Sequence, residues 1–512
     1  MEDRKTDNQM DKYVLRKASL EDAFCLFNWK NDPENLKNSH SHNPVVWEDH
    51  MNWLEMLLKN PDRILWVLEE EGTPVGQLRF DIQLVKLRQR YWKQAEISYS
   101  VASQSRGKGI GKYLLQMAEM EAKRLEIDLL YGEVLAHNEA SRKLFQSLKY
   151  VEKREESFYS YKKCLNTVFI RTDMNETIAT GHVMRCLSIA DAAAKNGSKV
   201  VFISADQNPE EIVRLKGYEF FSLKTRWDNM EGEIDVLIAL LQELGVSRLL
   251  IDSYQVTDTY LSEVEKVTEI FYLDDLDQFE YPVQNVICYA NYHSKLSYGN
   301  YGRETNFYLG TSYMPLREIY SGRQKKKIRK EISHVLLLSG GSDPLHMIDR
   351  ILPVMIRKLE GKSEGKIMVI CGKLYKDFEQ LCIKYQNNES TSTLRFLQNV
   401  PNLEEYMEEA DLAVSAGGTT LYELSAMGVP TITYSFADNQ LRNVLQFMED
   451  GLMDYAGDGR EEGIEEKVGI YFDQLDSDFS LREERSKKMQ QLVDGRGAKR
   501  IADLLLPAKE CI

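Results

Sequence analysis

The sequence lacks the features that define several broad classes of protein. Its seven cysteines are scattered singly with no Cys-x-x-Cys pair, so neither a disulfide framework nor a zinc knuckle is predicted. No run approaches the roughly 18 apolar residues of a membrane span, and the polar N-terminal residues contain no apolar segment of a signal peptide. With 12 Pro and 30 Gly among 512 residues, a collagen-like or largely disordered chain is excluded. We therefore expect a globular, cytoplasmic protein.

The sequence also has no surplus of positive charge, because 65 Lys and Arg stand against 80 Asp and Glu, for a net charge of −15. This balance argues against a general binder of nucleic acid or of membranes, and favours a small-molecule function. The nearest approach to a metal cluster is His40, His42 and His50, but such a polar stretch is more often a solvated loop. No metal is predicted. At about 150 residues per domain, the length indicates roughly three folded domains.

Changes in the apolar pattern divide the chain into these domains. After a polar tail at residues 1–11, residues 12–163 mix strands and helices, which indicates an α+β domain. Short β-rich runs alternate with helical segments over residues 167–320 and again over residues 331–505, which predicts parallel sheets. The basic segment 321–330 is predicted to be an exposed linker. The expected class is α/β, with a ligand cleft at the strand ends of two Rossmann-like lobes.

A glycine-rich turn lies between a strand and a helix of the first domain. Residues 96–103 are predicted as the strand, and the apolar residues that follow the turn recur at helical spacing. Such a turn directs backbone N–H groups and the positive end of the helix dipole at an anion, which predicts a phosphate-bearing ligand. It is not a Walker loop, because Tyr113 follows Lys112, and its spacing does not fit the dinucleotide fingerprint.

This turn, Arg106-x-x-Gly109-x-Gly111, resembles the pyrophosphate loop of the GCN5-related N-acetyltransferase (GNAT) family. Members of that family continue with an Asn-x-x-Ala/Ser segment, matched here by Asn138 and Ser141. A structural glycine turn beside a helix-capping asparagine explains either motif alone, but explains both in this order poorly. The resemblance implies binding of acetyl-CoA between two central strands, with Arg106, Gly107, Lys108, Gly109, Gly111, Lys112 and Asn138 as cofactor-binding residues.

Acetyl transfer to an amine needs a base for the amine and often a proton donor for the departing thiolate. Glu96, at the start of the predicted strand, is the candidate base, and a surface carboxylate without a chemical role is the alternative. The family frequently has a tyrosine seven residues after the asparagine as the acid. This sequence has Phe145 there, so the proton donor is not identified.

The two later domains contain three further strand–loop–helix turns. The first places Gly181 and His182 at a helix N-terminus, where the histidine is either a base for water or a hydroxyl, or a helix cap. Residues 336–344 and 414–432 form the other two turns, which suit the diphosphate of a nucleotide sugar. Glu423 follows one turn into the last helix, where its carboxylate either accepts from ribose hydroxyls or complements the helix dipole.

These lobes look like the GT-B architecture of nucleotide-sugar enzymes. Over residues 167–505, segments such as RTDMNETIATGHVMRCLSIA, SGGSDP, AGGTTLYEL and ADNQ resemble the UDP-2,4-diacetamido-2,4,6-trideoxy-β-L-altropyranose hydrolases of pseudaminic acid biosynthesis, although Ala179 replaces a common glycine. The resemblance implies metal-independent attack of water at the anomeric carbon, with His182 as the base. It assigns Tyr254 as a further catalytic residue, and as substrate-binding residues Asp173, Gly181, Arg185, Asp252, Gly340, Gly341, Ser342, Gly417, Gly418, Thr419, Glu423, Asn439 and Gln440.

In that pathway an N-acetyltransferase acetylates the 4-amino group of UDP-4-amino-4,6-dideoxy-N-acetyl-altrosamine, and the hydrolase acts on the product. The fusion therefore predicts a bifunctional enzyme that uses acetyl-CoA and a UDP-linked amino sugar, with no nucleic-acid or membrane partner. Two alternatives stay open. One is a GT-B glycosyltransferase, whose glycine turns and Glu423 would look the same. The other is that the first domain binds acetyl-CoA as a sensor and catalyses no reaction. Phe145, at the position of the usual acid, favours this alternative.

Overall fold

The computed structural model describes residues 12–88, 90–178, 180–302, 304–362, 364–386 and 393–506. The predicted polar tail at 1–11 and Ala179 lie outside the described residues. By its internal contacts the chain forms two compact units, one of residues 1–173 and 197–271 and the other of residues 174–196 and 272–512. None of the described helices is long and apolar enough to cross a membrane.

The first sheet comprises seven strands, in the order β1-β2-β3-β4-β5-β7-β6. Every neighbouring pair is antiparallel except β4 and β5, which are parallel. The strands are β1 Tyr13–Lys17, β2 Arg63–Glu70, β3 Thr73–Leu87, β4 Arg90–Val101, β5 Leu129–Leu135, β6 Val151–Arg154 and β7 Phe158–Cys164. The helices of this domain are α1 Ala23–Lys30, α2 Pro33–Lys37, α3 Trp47–Lys59, α4 Ile110–Arg124 and α5 Glu139–Ser147.

The helix after the glycine turn is where the apolar spacing predicts it. Leu114, Leu115, Ala118 and Ala122 of α4 are fully buried against the sheet. The strand before the turn is longer than predicted, because β4 pairs with β3 as an antiparallel hairpin from the pair Leu87 and Arg90 onward. Glu96 therefore lies in the middle of β4 and not at its start.

The next 140 residues supply a second sheet, in the order β10-β9-β8-β11-β12-β13-β14. Neighbours β8 and β9, β9 and β10, β8 and β11, and β13 and β14 are parallel, as the alternation of elements predicts. The strands are β8 Thr167–Thr172, β9 Lys199–Ser204, β10 Glu219–Ser222, β11 Arg248–Asp252, β12 Glu269–Leu273, β13 Asn285–Cys288 and β14 Asn306–Leu309, and the helices are α6 Gly181–Lys195, α7 Glu210–Leu215, α8 Ile234–Leu244 and α9 Asp258–Glu265.

The third sheet, in the order β17-β16-β15-β18-β19-β20, is parallel throughout. Its four central strands are buried on both faces, as is usual for parallel sheets covered by helices, whereas the edge strand β17 is partly exposed. The strands are β15 His334–Leu338, β16 Lys366–Cys371, β17 Thr393–Gln398, β18 Leu412–Ala416, β19 Thr431–Ser435 and β20 Asp454–Asp458. The helices are α10 Met347–Leu359, α11 Phe378–Tyr385, α12 Leu403–Glu409, α13 Thr420–Met427, α14 Asp438–Glu449, α15 Ile464–Ser477, α16 Phe479–Leu492 and α17 Gly497–Leu505.

The basic segment 321–330 has no helix or strand and none of its residues is buried, but two of its side chains contact the domain that follows. Lys326 donates to the carbonyl oxygens of Met407 and Glu408, each at 2.9 Å, and burial lowers the pKa of its ammonium to about 8. Arg329 pairs with Asp411 at 2.8 Å. The positive charges of this segment therefore hold it against the end of α12 and the start of β18.

Within the first compact unit, the first domain and the domain of the second sheet are connected by a backbone hydrogen bond as well as by the peptide chain that links them. The N–H of Cys164, in β7, donates to the carbonyl oxygen of Gly245 at 2.8 Å. Gly245 ends α8 with a left-handed φ of 63°, and a Cβ there would lie 2.8–2.9 Å from atoms of Lys162 and Lys163. An ion pair between Arg88 and Glu243, 3.0 Å long, adds to this junction.

We expect Gly245→Ala to lower the free energy of unfolding more than Gly197→Ala does. Both glycines have positive φ, so both substitutions add about 1–2 kcal/mol of backbone strain. A Cβ at position 197 meets no atom within 4 Å, whereas at position 245 overpacking adds about 1–3 kcal/mol. Urea unfolding of the two variants measures the difference, and equal losses would show that the junction accommodates the methyl group.

Candidate functional site

The two parallel strands of the first sheet separate halfway along their length. Partners run only from Gln94 with Leu129 to Glu96 with Tyr131, although both strands continue beyond that point. The gap opens next to Glu96 and leads toward the glycine turn that follows β4. Backbone N–H and C=O groups that face such a gap need partners from a ligand or from water.

The glycine turn has the backbone conformation that an anion site requires. Gly107 and Gly109 have φ of 74° and 82°, with nothing within 4 Å of a Cβ at either position, so glycine is needed there for conformation and not for space. Lys108 and Lys112 are exposed. Gly111 is needed for packing, because its Cβ would lie 3.0 Å from Leu144 of α5.

Two of the predicted cofactor-binding side chains have protein partners. The guanidinium of Arg106 pairs with Asp32 at 2.6 Å and with Glu34 at 2.7 Å, which ties the turn to α2. The side chain of Asn138 accepts from the N–H of Ser141 at 3.2 Å and caps α5, as the structural alternative for this residue expected. Their roles toward acetyl-CoA stay predictions.

Glu96 belongs to a cluster of acidic side chains beside the strand gap. Burial, together with the nearby charges of Glu133 and Asp81, raises the pKa of its carboxyl. Glu133 also accepts from Tyr131 Oη and lies 3.1 Å from Nε2 of His40. A cluster of this kind attracts a positively charged amine and contains a carboxylate able to take its proton.

Phe145, where the family frequently has tyrosine, is buried in an aromatic group. Its ring stacks on that of Tyr161 with centroids 4.8 Å apart. The ring of Tyr99 also lies near Phe145, with centroids 6.3 Å apart, and its hydroxyl donates to Oγ of Ser141 at 3.0 Å. Burial raises the pKa of Tyr99, so this phenol stays protonated at neutral pH.

The second compact unit contains a chain of hydrogen bonds that includes His182. This histidine is in the first turn of α6 and is only 6% exposed. Arg185, one turn later, contacts Nδ1 of His182 at 2.8 Å and donates to the hydroxyl of Tyr289 at 2.9 Å. Tyr289 in turn donates to Oδ2 of Asp275 at 2.7 Å.

A second group of contacts connects the same region to the glycine turn after β18. The ring of Tyr289 meets that of Tyr422 edge-on, with centroids 6.2 Å apart, and the hydroxyl of Tyr422 accepts from the N–H of Asn291 at 3.1 Å. The amide of Asn291 donates to the carbonyl oxygen of Asn443, whose own amide donates to the carbonyl oxygen of Gly417, each at 3.2 Å. His182 and the glycine turn thus belong to one connected site.

The glycine turns of the third sheet are tightly packed. A Cβ on Gly417 would lie 2.4 Å from Val444 of α14, and one on Gly372 would lie 2.2 Å from the carbonyl oxygen of Gly340, whose φ is 75°. Asp343 accepts from the N–H groups of Met347 and Ile348, so it caps α10. Gly341, Gly418 and Thr419 complete these turns, and Ser342 lies beside Gly341, partly buried.

Glu423 lies in the first turn of α13, beside a group of charged side chains. Burial and the nearby carboxylate of Glu404 raise the pKa of Glu423 to about 7, against the lowering effects of Arg317 and of a hydrogen bond with Tyr320. Arg317 itself donates to Tyr320 at 3.0 Å and to Glu404 at 2.9 Å. The carboxyl of Glu423 therefore changes protonation in the neutral range and can accept from ligand hydroxyls once ionised.

An open cleft of about 470 Å³ lies beside this site in the second compact unit. That volume falls within the range of small-molecule sites. Its wall combines two positive side chains with one aspartate and three leucines. The lining residues are Leu276, Asp277, Tyr292, Lys295, Leu296, Ser297, Arg442 and Leu445.

The remaining predicted residues differ in their surroundings. Asp252 is buried at the end of β11, and Tyr254 follows two residues later, partly buried. Asn439 is exposed at the start of α14, while Oε1 of Gln440 accepts from the N–H of Phe436 at 3.0 Å. Gly181 is exposed as the first residue of α6. Their roles toward a substrate stay predictions.

Asp173 has a structural environment that the sequence motif does not reveal. Its carboxylate accepts from Arg171 at 2.6 Å, from Oγ of Ser204 at 2.8 Å and from the N–H of Ala205 at 2.9 Å. The guanidinium of Arg171 is fully buried and also pairs with both oxygens of Glu233 at 2.8 Å. These contacts hold the end of β8 to the end of β9.

Several residues of the connected site are absent from the sequence prediction. Asp274 and Asp275 are neighbours just after β12, but their contacts differ. Asp274 accepts from the N–H groups of Leu276 and Asp277 and so caps the segment that follows, whereas Asp275 accepts from the hydroxyl of Tyr289. The signal that could have found Asp275 and Tyr289 is their position just after β12 and β13, where parallel strands present ligand-binding residues.

Comparison with known proteins finds a family match for two regions of the chain. Residues 26–150 match the GNAT acetyltransferase family, and residues 335–491 match the C-terminal domain of glycosyltransferase family 28. The chain is thus a fusion of a GNAT acetyltransferase domain with a GT-B-like domain of the family 28 type. The predicted fold class, an α+β acetyltransferase domain followed by Rossmann-like parallel sheets, is confirmed.

Individual relatives cover parts of the chain. The spore coat polysaccharide biosynthesis protein SpsG of Bacillus subtilis is 26% identical over 203 residues, which are 39% of this chain and 58% of SpsG. A UDP-N-acetylglucosamine–N-acetylmuramyl-(pentapeptide) pyrophosphoryl-undecaprenol N-acetylglucosamine transferase of Campylobacter jejuni is 37% identical over 130 residues, 24% of this chain and 36% of the transferase. The crystal structure of Acinetobacter baumannii MurG superposes with a TM-score of 0.53 at 14% identity, covering 66% of this chain and 99% of MurG. The chain spans little more than half of SpsG.

We expect Asp173→Ala to lower the free energy of unfolding by at least about 2 kcal/mol, because three buried donors would lose their acceptor at about 1–3 kcal/mol each. The matched control is Glu210→Ala, which removes an ion pair on the surface of α7 and should cost less than about 0.5 kcal/mol. Urea unfolding measures both. Unchanged stability of Asp173→Ala combined with weaker UDP binding would instead favour a substrate-binding role.

Proposed function

We propose that the chain performs two consecutive steps on one UDP-linked sugar. The acetyltransferase domain transfers the acetyl group of acetyl-CoA to the 4-amino group of UDP-4-amino-4,6-dideoxy-N-acetyl-altrosamine. The Rossmann-like lobes then hydrolyse the product, UDP-2,4-diacetamido-2,4,6-trideoxy-β-L-altropyranose, to UDP and free sugar, as in pseudaminic acid biosynthesis. The observation that carries the second step is the connected site, in which His182 and the glycine turn at Gly417 belong to one set of contacts.

The acetyltransferase domain supports the first step through its strand gap and its turn. The backbone of Gly107 to Gly111 would bind the pyrophosphate of acetyl-CoA, with Lys108 and Lys112 adding positive charge. The pantetheine arm would pair with the separated edges of β4 and β5. Acetyl-CoA supplies an activated thioester, and Glu96 would take the proton of the attacking amine inside the acidic cluster.

The second step is supported by the chemical groups of the connected site, which include a glycine turn, a carboxylate and a histidine. The N-terminal turn of α13 and the loop at Gly340 and Gly341 would bind the diphosphate, and Glu423 would accept from the ribose hydroxyls. His182 would act at the anomeric carbon. The Campylobacter relative is a transferase that uses a UDP-linked N-acetylamino sugar, which is consistent with a UDP-sugar as the ligand of this domain.

A glycosyltransferase that uses a UDP-sugar is the second candidate, combined with an acetyltransferase domain that senses acetyl-CoA without catalysis. The observation in its favour is the match of residues 335–491 to glycosyltransferase family 28. Phe145, at the position of the usual acid, favours the sensor reading of the first domain. The two candidates differ in the acceptor, since the hydrolase needs only water.

We expect Glu96→Gln to lower kcat for acetyl transfer by roughly 100- to 10,000-fold, the usual contribution of a general base. In the wild-type protein kcat should fall as the pH drops through the raised pKa of Glu96, because the protonated carboxyl takes no proton. Glu133→Gln removes a charge that raises this pKa, so the acid limb of the profile should move to lower pH. An acid limb that stays in place in both variants would exclude Glu96 as the base.

The proposed order of reactions is tested by supplying the UDP-4-amino sugar and acetyl-CoA and following free CoA, UDP and the sugar by NMR. CoA should appear first and UDP second, with water as the only acceptor. His182→Ala should stop UDP release and leave CoA release intact. Gly109→Trp should prevent acetylation and leave hydrolysis of the preformed diacetamido substrate intact.

Three results would contradict parts of this proposal. Acetyl-CoA that is bound but never consumed would support the sensor reading of the first domain. UDP release that requires a glycan or lipid acceptor would support the glycosyltransferase. Normal hydrolysis by His182→Ala would remove His182 from the catalytic machinery.

A further inference from the structure

Lys30, the last residue of α1, has a positive charge with no negative partner in the described part of the chain. Its ammonium is partly buried and donates to Oγ of Ser39 at 3.2 Å. No ion pair among the described residues includes Lys30, and burial together with the nearby charge of Arg79 lowers the pKa of its ammonium. Because a charge that is withdrawn from water is normally paired, Lys30 is a candidate to bind an anion.

Arg79, on β3, shares its carboxylate partner with another arginine. Nη2 of Arg79 lies 2.8 Å from Oδ2 of Asp81, and Nε of Arg63 lies 3.0 Å from Oδ1 of the same side chain. The guanidinium of Arg79 also lies 5.9 Å from the ring centre of Trp53 on α3, and the side chain is 27% exposed. Together with Lys30, three positive charges thus adjoin a single carboxylate of β3.

The register of the sheet places this group of charges beside the candidate base. In the pairing of β3 with β4, Asp81 is the partner of Glu96 and Arg79 is the partner of Ser98. Because side chains alternate along a strand, all four project from one face of the sheet. The pairing of β4 with β5 has ended at Ser98, so Arg79 is opposite the part of β4 that borders the strand gap, about 7 Å beyond the position of Glu96.

Helix α1 covers this same face of the sheet. Leu26 of α1 belongs to one hydrophobic cluster with Leu65 of β2, which is the register partner of Arg79. Helix α4 packs on the other face, where Leu114 belongs to a separate cluster with Phe80 of β3. The charged end of α1 is therefore on the face with the carboxylates, whereas the glycine turn before α4 leads to the opposite face.

A base at one position and cations at the next suit an acceptor that is itself of mixed charge. The acidic cluster around Glu96 attracts the amine, whereas Lys30 and Arg79 attract a negative group. In a UDP-linked 4-amino sugar, the amine and the diphosphate are attached at opposite positions of one sugar ring. A polyamine has positive charge alone and would gain nothing from these cations.

We propose that Lys30 and Arg79 bind the diphosphate of the UDP-linked acceptor while its 4-amino group lies at Glu96, so that the two cations select an anionic acceptor. The inference rests on the proposed acetyl transfer. In that step the amine nitrogen forms a bond to the acetyl carbon, the bond from that carbon to sulfur breaks, and its electron pair leaves with CoA. Glu96 takes the proton that the nitrogen loses, and the two cations exchange no proton.

The first test measures acetyl transfer to the UDP-4-amino sugar in the full-length protein. Lys30→Met and Arg79→Gln should each raise KM for the acceptor by roughly 10- to 100-fold, the effect of one hydrogen bond to a charged group. Because the lost contact is one of binding, kcat and KM for acetyl-CoA should change by less than about threefold. An unchanged acceptor KM in both variants, or a rise in KM for acetyl-CoA instead, would overturn the proposal.

The matched control removes the same charge from another helix of the domain. Lys59, at the end of α3, pairs with Glu55 on the surface at 3.8 Å, and Lys59→Met should leave the acceptor KM unchanged. Lys30→Met leaves the pair of Arg79 with Asp81 in place, so its KM for acetyl-CoA reports whether the domain is intact. Equal rises in Lys59→Met and Lys30→Met would show a general effect of charge and would overturn a specific site.

The second test removes the diphosphate instead of the cations. The free 4-amino sugar should have a higher KM than the UDP-linked sugar in wild-type protein. Lys30→Met should change the KM for the free sugar by less than about twofold, because the partner of Lys30 is already absent. The sugar 1-phosphate should regain part of the sensitivity to Lys30→Met. An equal effect of Lys30→Met on all three acceptors would overturn binding of the diphosphate.

A binding measurement separates the inference from the proposed function. Equilibrium titration of the full-length protein with UDP should find one more bound UDP per chain in wild type than in Lys30→Met. If no acceptor is acetylated but this difference is found, the proposed function fails and the anion site stands; if the difference is also absent, both fail. If the UDP-4-amino sugar is acetylated with a KM that is independent of Lys30 and Arg79, the function stands and the inference falls.

Discussion

When a guanidinium is buried, its N–H groups need hydrogen-bond acceptors and its positive charge needs a negative charge nearby. Two arginines of this protein show how this requirement organises the residues around them. Arg171, fully buried, gathers Asp173 and Glu233 and so holds strand ends of the first compact unit together. Arg185, partly buried, donates to the hydroxyl of Tyr289, which donates to Asp275, and it also contacts Nδ1 of His182. The same chemistry thus connects strand ends in one part of the fold and side chains of the candidate site in another.

Acetyl transfer to an amine would require the acetyltransferase domain to bind two ligands of opposite charge. Acetyl-CoA is an anion, whereas an amine acceptor is a cation until it loses a proton. The glycine turn presents backbone N–H groups and lysines, while Glu96, Glu133 and Asp81 lie at the other end of the strand gap. In the proposed acetyl transfer, opposite charges at the two ends of one gap would give each substrate its own end, which the overall net charge of the chain does not reveal.

The parts of the site that could be predicted from the sequence are those set by local pattern. The turns at Gly109, Gly340 and Gly417 can be predicted because the spacing of apolar residues changes at each of them from that of a strand to that of a helix. The position of His182 at a helix N-terminus follows in the same way. Tyr289 lies more than 100 residues from Arg185, and no local pattern connects them. The same limit applies to Asp173, because its contacts with Ser204 and Ala205 at the end of β9 appear only in the fold.

The junction at Gly245 has a consequence for the way the two activities are combined. Because Cys164 donates to its carbonyl oxygen and Lys162 and Lys163 lie where its side chain would be, the acetyltransferase domain covers the end of α8. If the two sides of this junction came apart, the carbonyl oxygen of Gly245 and the carboxylate of Glu243 would lose these partners on one side, and the N–H of Cys164 would lose its acceptor on the other. The two surfaces are therefore complementary in their hydrogen bonds and in their charges.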